Sequence, residues 1–107
     1  MKINTSLSDG HLTVSIEGEL DHHQAKNAVS AIEESINSFL PKSCTLDMDG
    51  LSFMDSSGIA VILKTYRLMN QISGRICVEN LQKQPLRVLD AAGIDRLISI
   101  TESAKEA

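Results

Sequence analysis

Apolar residues along this chain change their period from two to between three and four and back again. That alternation limits the fold more than any other feature. Asp9-Gly10 stands between two stretches of period two, Ile3, Thr5 and Leu7 before it and Leu12, Val14 and Ile16 after it. Asp-Gly in that setting marks a tight turn, so the chain is predicted to open with two half-buried antiparallel strands, the second ended by Gly18. Asp21 then makes a good helix cap, with Gln24 three residues on, and Ala25, Ala28, Val29, Ile32 and Ile36 recur at helical spacing until Pro41 closes the segment.

The same switching continues. Cys44–Met48 reads as a strand that reverses near Gly50, and Asp55-Ser56-Ser57-Gly58 opens a second helix after Leu51–Met54. The inner face of that helix is predicted to be Ile59, Ile62, Leu63, Tyr66 and Met69, with Ser73-Gly74 as its breaker. Arg75–Glu79 is a further strand. Pro85 suits the first turn of a third helix lined by Leu86, Leu89 and Ala92 and ended by Gly93, and Leu97–Ile100 is the last strand. The order β-β-α-β-α-β-α-β predicts an α/β fold, with a mainly parallel sheet edged by the hairpin and helices packed against it.

At 107 residues the chain fits one domain, spanning 1–107, without needing a disulfide or metal. Aromatics are 3% of residues with no Trp, and net charge is −4, which argues against binding nucleic acid by stacking or phosphate contacts. Residues 1–54 hold eight acidic side chains against Lys2, Lys26 and Lys42, so a partner of that half is expected to be basic. No apolar run reaches the ~18 residues of a membrane span, and the first residues lack a secretory pattern. Cys44 and Cys77 each lie in an apolar run, as small buried side chains would. These features predict a reduced, cytoplasmic protein.

Chemistry concentrates at Asp55-Ser56-Ser57-Gly58. The N-terminus of a helix presents free N–H groups and the positive end of a dipole, so two serines there can cap the helix, accept a phosphoryl group or act as nucleophiles. The G-x-S-x-G elbow of a serine hydrolase is absent, because Met54 and Asp55 precede Ser56. No phosphate-cradling glycine loop occurs. His22 and His23 project roughly 100° apart on a helix and cannot share an ion, and Cys44 and Cys77 make no zinc signature. Asp47 and Asp49 share one strand face and read as a solvated strand end. No metal and no cofactor are expected.

Two segments, Gly18-Glu19-Leu20-Asp21-His22-His23 and Leu51-Ser52-Phe53-Met54-Asp55-Ser56-Ser57-Gly58-Ile59-Ala60-Val61-Ile62, give the chain a resemblance to a known family. It resembles the anti-sigma factor antagonists of the STAS type, in particular those of sporulation, over about Gly18 to Ile100. The resemblance implies a non-catalytic binding module. In the family, the first serine of D-S-S-G is phosphorylated by a partner that is both serine kinase and anti-sigma factor. By position that serine is Ser56, with Ser57 the alternative acceptor. Asp21, Asp55, Ser56, Ser57 and Gly58 then belong to the partner-binding surface. The unphosphorylated form binds the kinase and frees a sigma factor, phosphorylation releases it, and a metal-dependent serine phosphatase restores it. The same fold also serves as a non-catalytic scaffold in signalling and transporter complexes. The family's pattern continues into a further helix after the last strand. Here Thr101 to Ala107 follow, so that helix is expected to be short or absent.

Overall fold

A computed structural model describes residues 1–104. Its strands are β1 (Lys2–Ser8), β2 (His11–Leu20), β3 (Ser43–Asp47), β4 (Leu51–Met54), β5 (Arg75–Leu81) and β6 (Ser99–Glu102). The helices are α1 (His22–Phe39), α2 (Ser56–Gln71) and α3 (Lys83–Ala91), with a 3-10 turn at Ile94–Arg96. The sheet runs β1-β2-β3-β5-β6, with β4 also paired to β2. Among the described residues only the β1–β2 pair is antiparallel. The expected mixed, mainly parallel α/β sheet is therefore the fold observed.

Registered rows across the strands explain why one face is covered. Leu12 lies opposite Cys44 and Val14 opposite Leu46, which in turn lies opposite Val78, and all five side chains are buried. Helices α1 and α2 pack on this face and on each other. The opposite face is polar and carries a chain of contacts across three strands. His11 bridges Ser43 and Thr45 through its two ring nitrogens, the latter contact at 2.9 Å. Thr45 Oγ1 then lies 3.3 Å from Cys77 Sγ, and the Cys77 thiol donates to Glu79 at 3.6 Å.

Several expectations are corrected. The stretch at residues 51–54 is a strand, and the chain does not reverse at Gly50. β3 and β4 both run parallel to β2: Ser15 pairs with Asp47, Gly18 with Leu51 and Leu20 with Met54. The two strands form one line along β2 that gains one extra residue across Met48–Gly50 and a second at Ser52. Gly18, at φ +99°, meets this bulge and donates its N–H to Gly50 O at 2.9 Å. The bulge destroys simple alternation, which is why β4 does not announce itself in the sequence.

β1 is less buried than predicted, because as an edge strand it has only Ile3 partly covered. On α2 the buried positions are Gly58, Val61, Ile62, Thr65, Leu68 and Met69, while Ile59, Leu63 and Tyr66 are only partly buried. Thr65 enters the core because its hydroxyl donates to Val61 O at 2.9 Å. Ala92 is exposed beyond the end of α3, and Gly93 takes the left-handed conformation (φ +73°) that ends it. Leu97, 51% exposed, belongs to the turn before β6, which starts at Ser99. Glu102 is still strand and Ala104 is in 3-10 conformation; the rest of the short final helix considered for Thr101–Ala107 falls on residues 105–107, outside the described residues.

Candidate functional site

Two helices start side by side at one end of the sheet. Leu20 and Met54 are register partners at the ends of β2 and β4, and Asp55 N donates to Leu20 O at 3.3 Å. Each strand is followed by an aspartate in extended conformation that caps the next helix. Asp21 accepts from Gln24 N at 3.0 Å, and Asp55 accepts from Ser57 N at 2.8 Å. Both bonds place a carboxylate where unpaired helix N–H groups need an acceptor. The structure thus brings Asp21, Asp55, Ser56, Ser57 and Gly58 to one end of the molecule.

Their environments differ. Ser56 is exposed at the first position of α2, whereas Ser57 is partly buried. Gly58 is buried, because the Met54 side chain lies over it: a Cβ there would stand 2.3 Å from Met54 Cγ. Its part in the site is to admit Met54, not to present a surface. The N–H groups of Ser57 and Gly58 are both taken by Asp55, through its carboxylate and its carbonyl, the latter at 3.0 Å. A group added to Ser56 Oγ therefore finds these two donors occupied. His22 and His23 are exposed on the first turn of α1, with ring centroids 6.0 Å apart in an edge arrangement.

The other flank of the site is held by side-chain amides that the sequence reading missed. Asn80 donates to Asp47 Oδ1 at 3.1 Å and Gln82 to Asp49 O at 2.6 Å. Gln84 clasps Met54 from both sides, accepting from its N–H and donating to its C=O, each at 2.8 Å. Where β5 stops pairing with β3, these alternate residues continue the ladder with side chains in place of backbone. The spacing Asn80-x-Gln82-x-Gln84 is the signal that could have found them. Asp47 also accepts from Asp49 N at 3.1 Å, so the strand end predicted to be solvated is internally bonded.

Among the described residues no cluster of three or more His, Cys, Asp or Glu side chains is placed to hold a metal ion. Both cysteine thiols are shifted from their ordinary value. Burial pushes Cys44 up to about 12, reinforced by Cys77. Burial also raises Cys77, against a lowering hydrogen bond from Thr45.

Twin capped helices after parallel strands, with an exposed serine at one of them, form an arrangement that can be compared with known proteins. The STAS domain family matches residues 2–107. This chain belongs to the STAS domain family. It is 35% identical over 94 residues to an anti-sigma F factor antagonist of Paenibacillus polymyxa, covering 88% of this chain and 80% of that protein. The STAS fold is shared with solved structures of the anti-sigma factor antagonist SpoIIAA. Its unphosphorylated form superposes with a TM-score of 0.74 at 22% identity, over 98% of this chain and 92% of that one. The phosphorylated Bacillus form gives 0.73 at 23% identity, over 98% and 95%. No helix among the described residues is long and apolar enough to cross a membrane.

Proposed function

We propose that this STAS chain is an anti-sigma factor antagonist that works as one non-catalytic docking unit switched by phosphorylation of Ser56. The observation that carries the reading is the exposed Ser56 at the start of α2, beside the capped start of α1, in a chain 35% identical to a protein named as such an antagonist. The partner is an anti-sigma factor that is also a serine kinase. A serine phosphatase acts on the modified form. Asp21, Asp55, Ser56 and Ser57 present the docking surface, and Gly58 shapes it from beneath.

A physical account of the switch follows from the occupied N–H groups. Phosphorylation adds nearly two negative charges and three acceptor oxygens. With Ser57 N and Gly58 N engaged by Asp55, the new group stays at the surface, next to the Asp55 carboxylate. Phosphate so placed sterically blocks a partner fitted closely to the unmodified face, and the backbone stays as it is. Amide chemical shifts of the two forms are expected to differ only near residues 19–24 and 53–60; widespread shifts elsewhere would contradict local blockade.

The deciding experiment mixes the protein with ATP and a candidate anti-sigma kinase and follows intact mass. Wild type and Ser57→Ala are expected to gain one phosphoryl group and Ser56→Ala none. Ser56→Asp is expected to bind the kinase more weakly. Unmodified wild type, or a Ser56→Ala protein that is still phosphorylated, refutes the proposal.

A further inference from the structure

Among the described residues the outer strand β1 has a free edge, and its pattern fits a second copy of itself. Asp9 and Gly10 both have positive φ, 52° and 79°, the two-residue turn that makes Ser8 and His11 a hydrogen-bonded pair. Antiparallel pairs alternate, so Lys2, Asn4, Ser6 and Ser8 bond inward to β2. Ile3, Thr5 and Leu7 turn their N–H and C=O groups outward. The edge is seven residues long and holds no proline, one of the devices that blunt such edges, and its one charged side chain, Lys2, stands at its end. The opposite edge, β6, has four residues and an irregular register.

The outward row is symmetric about Thr5. An antiparallel copy bonding through it pairs Thr5 with Thr5, and Ile3 with Leu7 of the second copy in both directions. Each pair exchanges two hydrogen bonds. Side chains agree with this register. Ile3, Thr5 and Leu7 lie opposite Ile16, Val14 and Leu12, hence on the helix-covered face, and Leu7 is left 43% exposed. In the pair, Ile3 of the second copy stands across from Leu7 and covers it. Lys2, the only charged residue in β1, falls opposite Ser8 of the second copy, so no like charges face each other across the pair.

We infer that β1 is a self-association edge through which two copies of this chain pair about a two-fold axis at Thr5, continuing the sheet from one molecule into the next. β3 and β4 lie on the other flank of β2, so the pairing leaves Ser56 uncovered and does not depend on the switch proposed above. Contact through one strand edge buries a small area, which makes the dimer weak and concentration-dependent.

Sedimentation equilibrium of the full chain tests this from about 20 µM to about 1 mM, a range suited to weak association. Salt near 0.15 M limits repulsion between copies of charge −4 to about 8 Å. The weight-average mass of wild type is expected to rise from 11.6 kDa toward twice that value. Thr5→Pro removes an N–H that points away from β2, so the hairpin ladder keeps its bonds while the free edge loses its central donor. Thr5→Lys puts like charges face to face on the axis without touching the backbone. Both variants, checked for folding by circular dichroism, are expected to stay at 11.6 kDa throughout. A wild-type mass that does not rise, or a folded Thr5→Lys protein that associates as wild type does, overturns the inference.

Discussion

Gly58→Ala sets helix propensity against packing at the foundation of the site, and the geometry decides the sign. Alanine in place of glycine inside a helix gains about 1 kcal/mol. Against this, the added Cβ would stand 2.3, 2.9 and 3.1 Å from Cγ, Sδ and Cε of Met54, a side chain with no exposed surface. Three successive atoms in contact mean that Met54 lies along the helix, so swinging its methyl end aside does not relieve the clash at Cγ. Overpacking of this kind costs about 1–3 kcal/mol. The expected net loss is about 1 kcal/mol, or about 4–8 °C in Tm for a domain of this size. The cycle with Met54→Ala isolates the cause. Truncating Met54 costs about 2–5 kcal/mol by itself, but in that background Gly58→Ala is expected to stabilise, because the methyl group enters vacated space. Urea unfolding of the four proteins, followed by circular dichroism, measures all four corners. A Gly58→Ala protein as stable as wild type, or one that loses the same amount in both backgrounds, refutes the reasoning.

Three further outcomes are expected. Asp55→Ala removes the acceptor of Ser57 N and is expected to lower stability by about 1 kcal/mol, with the loss of protection at the Ser57 amide read by hydrogen exchange. Gln84→Ala leaves both backbone groups of Met54 without their clasp and is expected to cost about 1–3 kcal/mol in chemical denaturation, whereas Gln84→Asn, too short to span both, recovers little. Cys44 holds its proton from its ordinary 9.0 up to about 12 when folded. The unfolded chain loses that proton first, so stability falls as pH rises from 9 toward 12, and Cys44→Ala is expected to flatten that decline in thermal melts. A decline of the same slope in the variant would assign it to other groups.

Legibility in the sequence followed locality. The hairpin was readable because Asp9-Gly10 determines a turn without help from the rest of the chain, and both residues take the positive φ it requires. Asp21 was readable as a cap for the same reason, since it bonds an amide three residues on, whereas at the second helix the cap is Asp55 and not the serines considered for it. What the sequence hid depends on distant partners. β4 exists because β2 continues past the end of β3 and offers a second stretch to pair with, which no local period encodes. Thr65 reads as a surface residue until its hydroxyl is seen to bond within its own helix. Ser56, Ser57 and Gly58 were grouped on one binding surface, and only packing separates the exposed Ser56 from the covered Gly58. The roles of Asn80, Gln82 and Gln84 came from contacts over 30 or more positions in the chain.

The Gln84 clasp changes how opening events in this molecule are to be read. Met54 directs both its N–H and its C=O at that one side chain, and so away from β2. Its amide is consequently shielded by a helix and not by a neighbouring strand. In hydrogen exchange, the Met54 proton will keep time with the undocking of α3, while protons of the β2–β3 ladder keep time with rupture of the sheet. One amide, two residues before Ser56, is thereby a clock for the motion of an element on the far flank of the site.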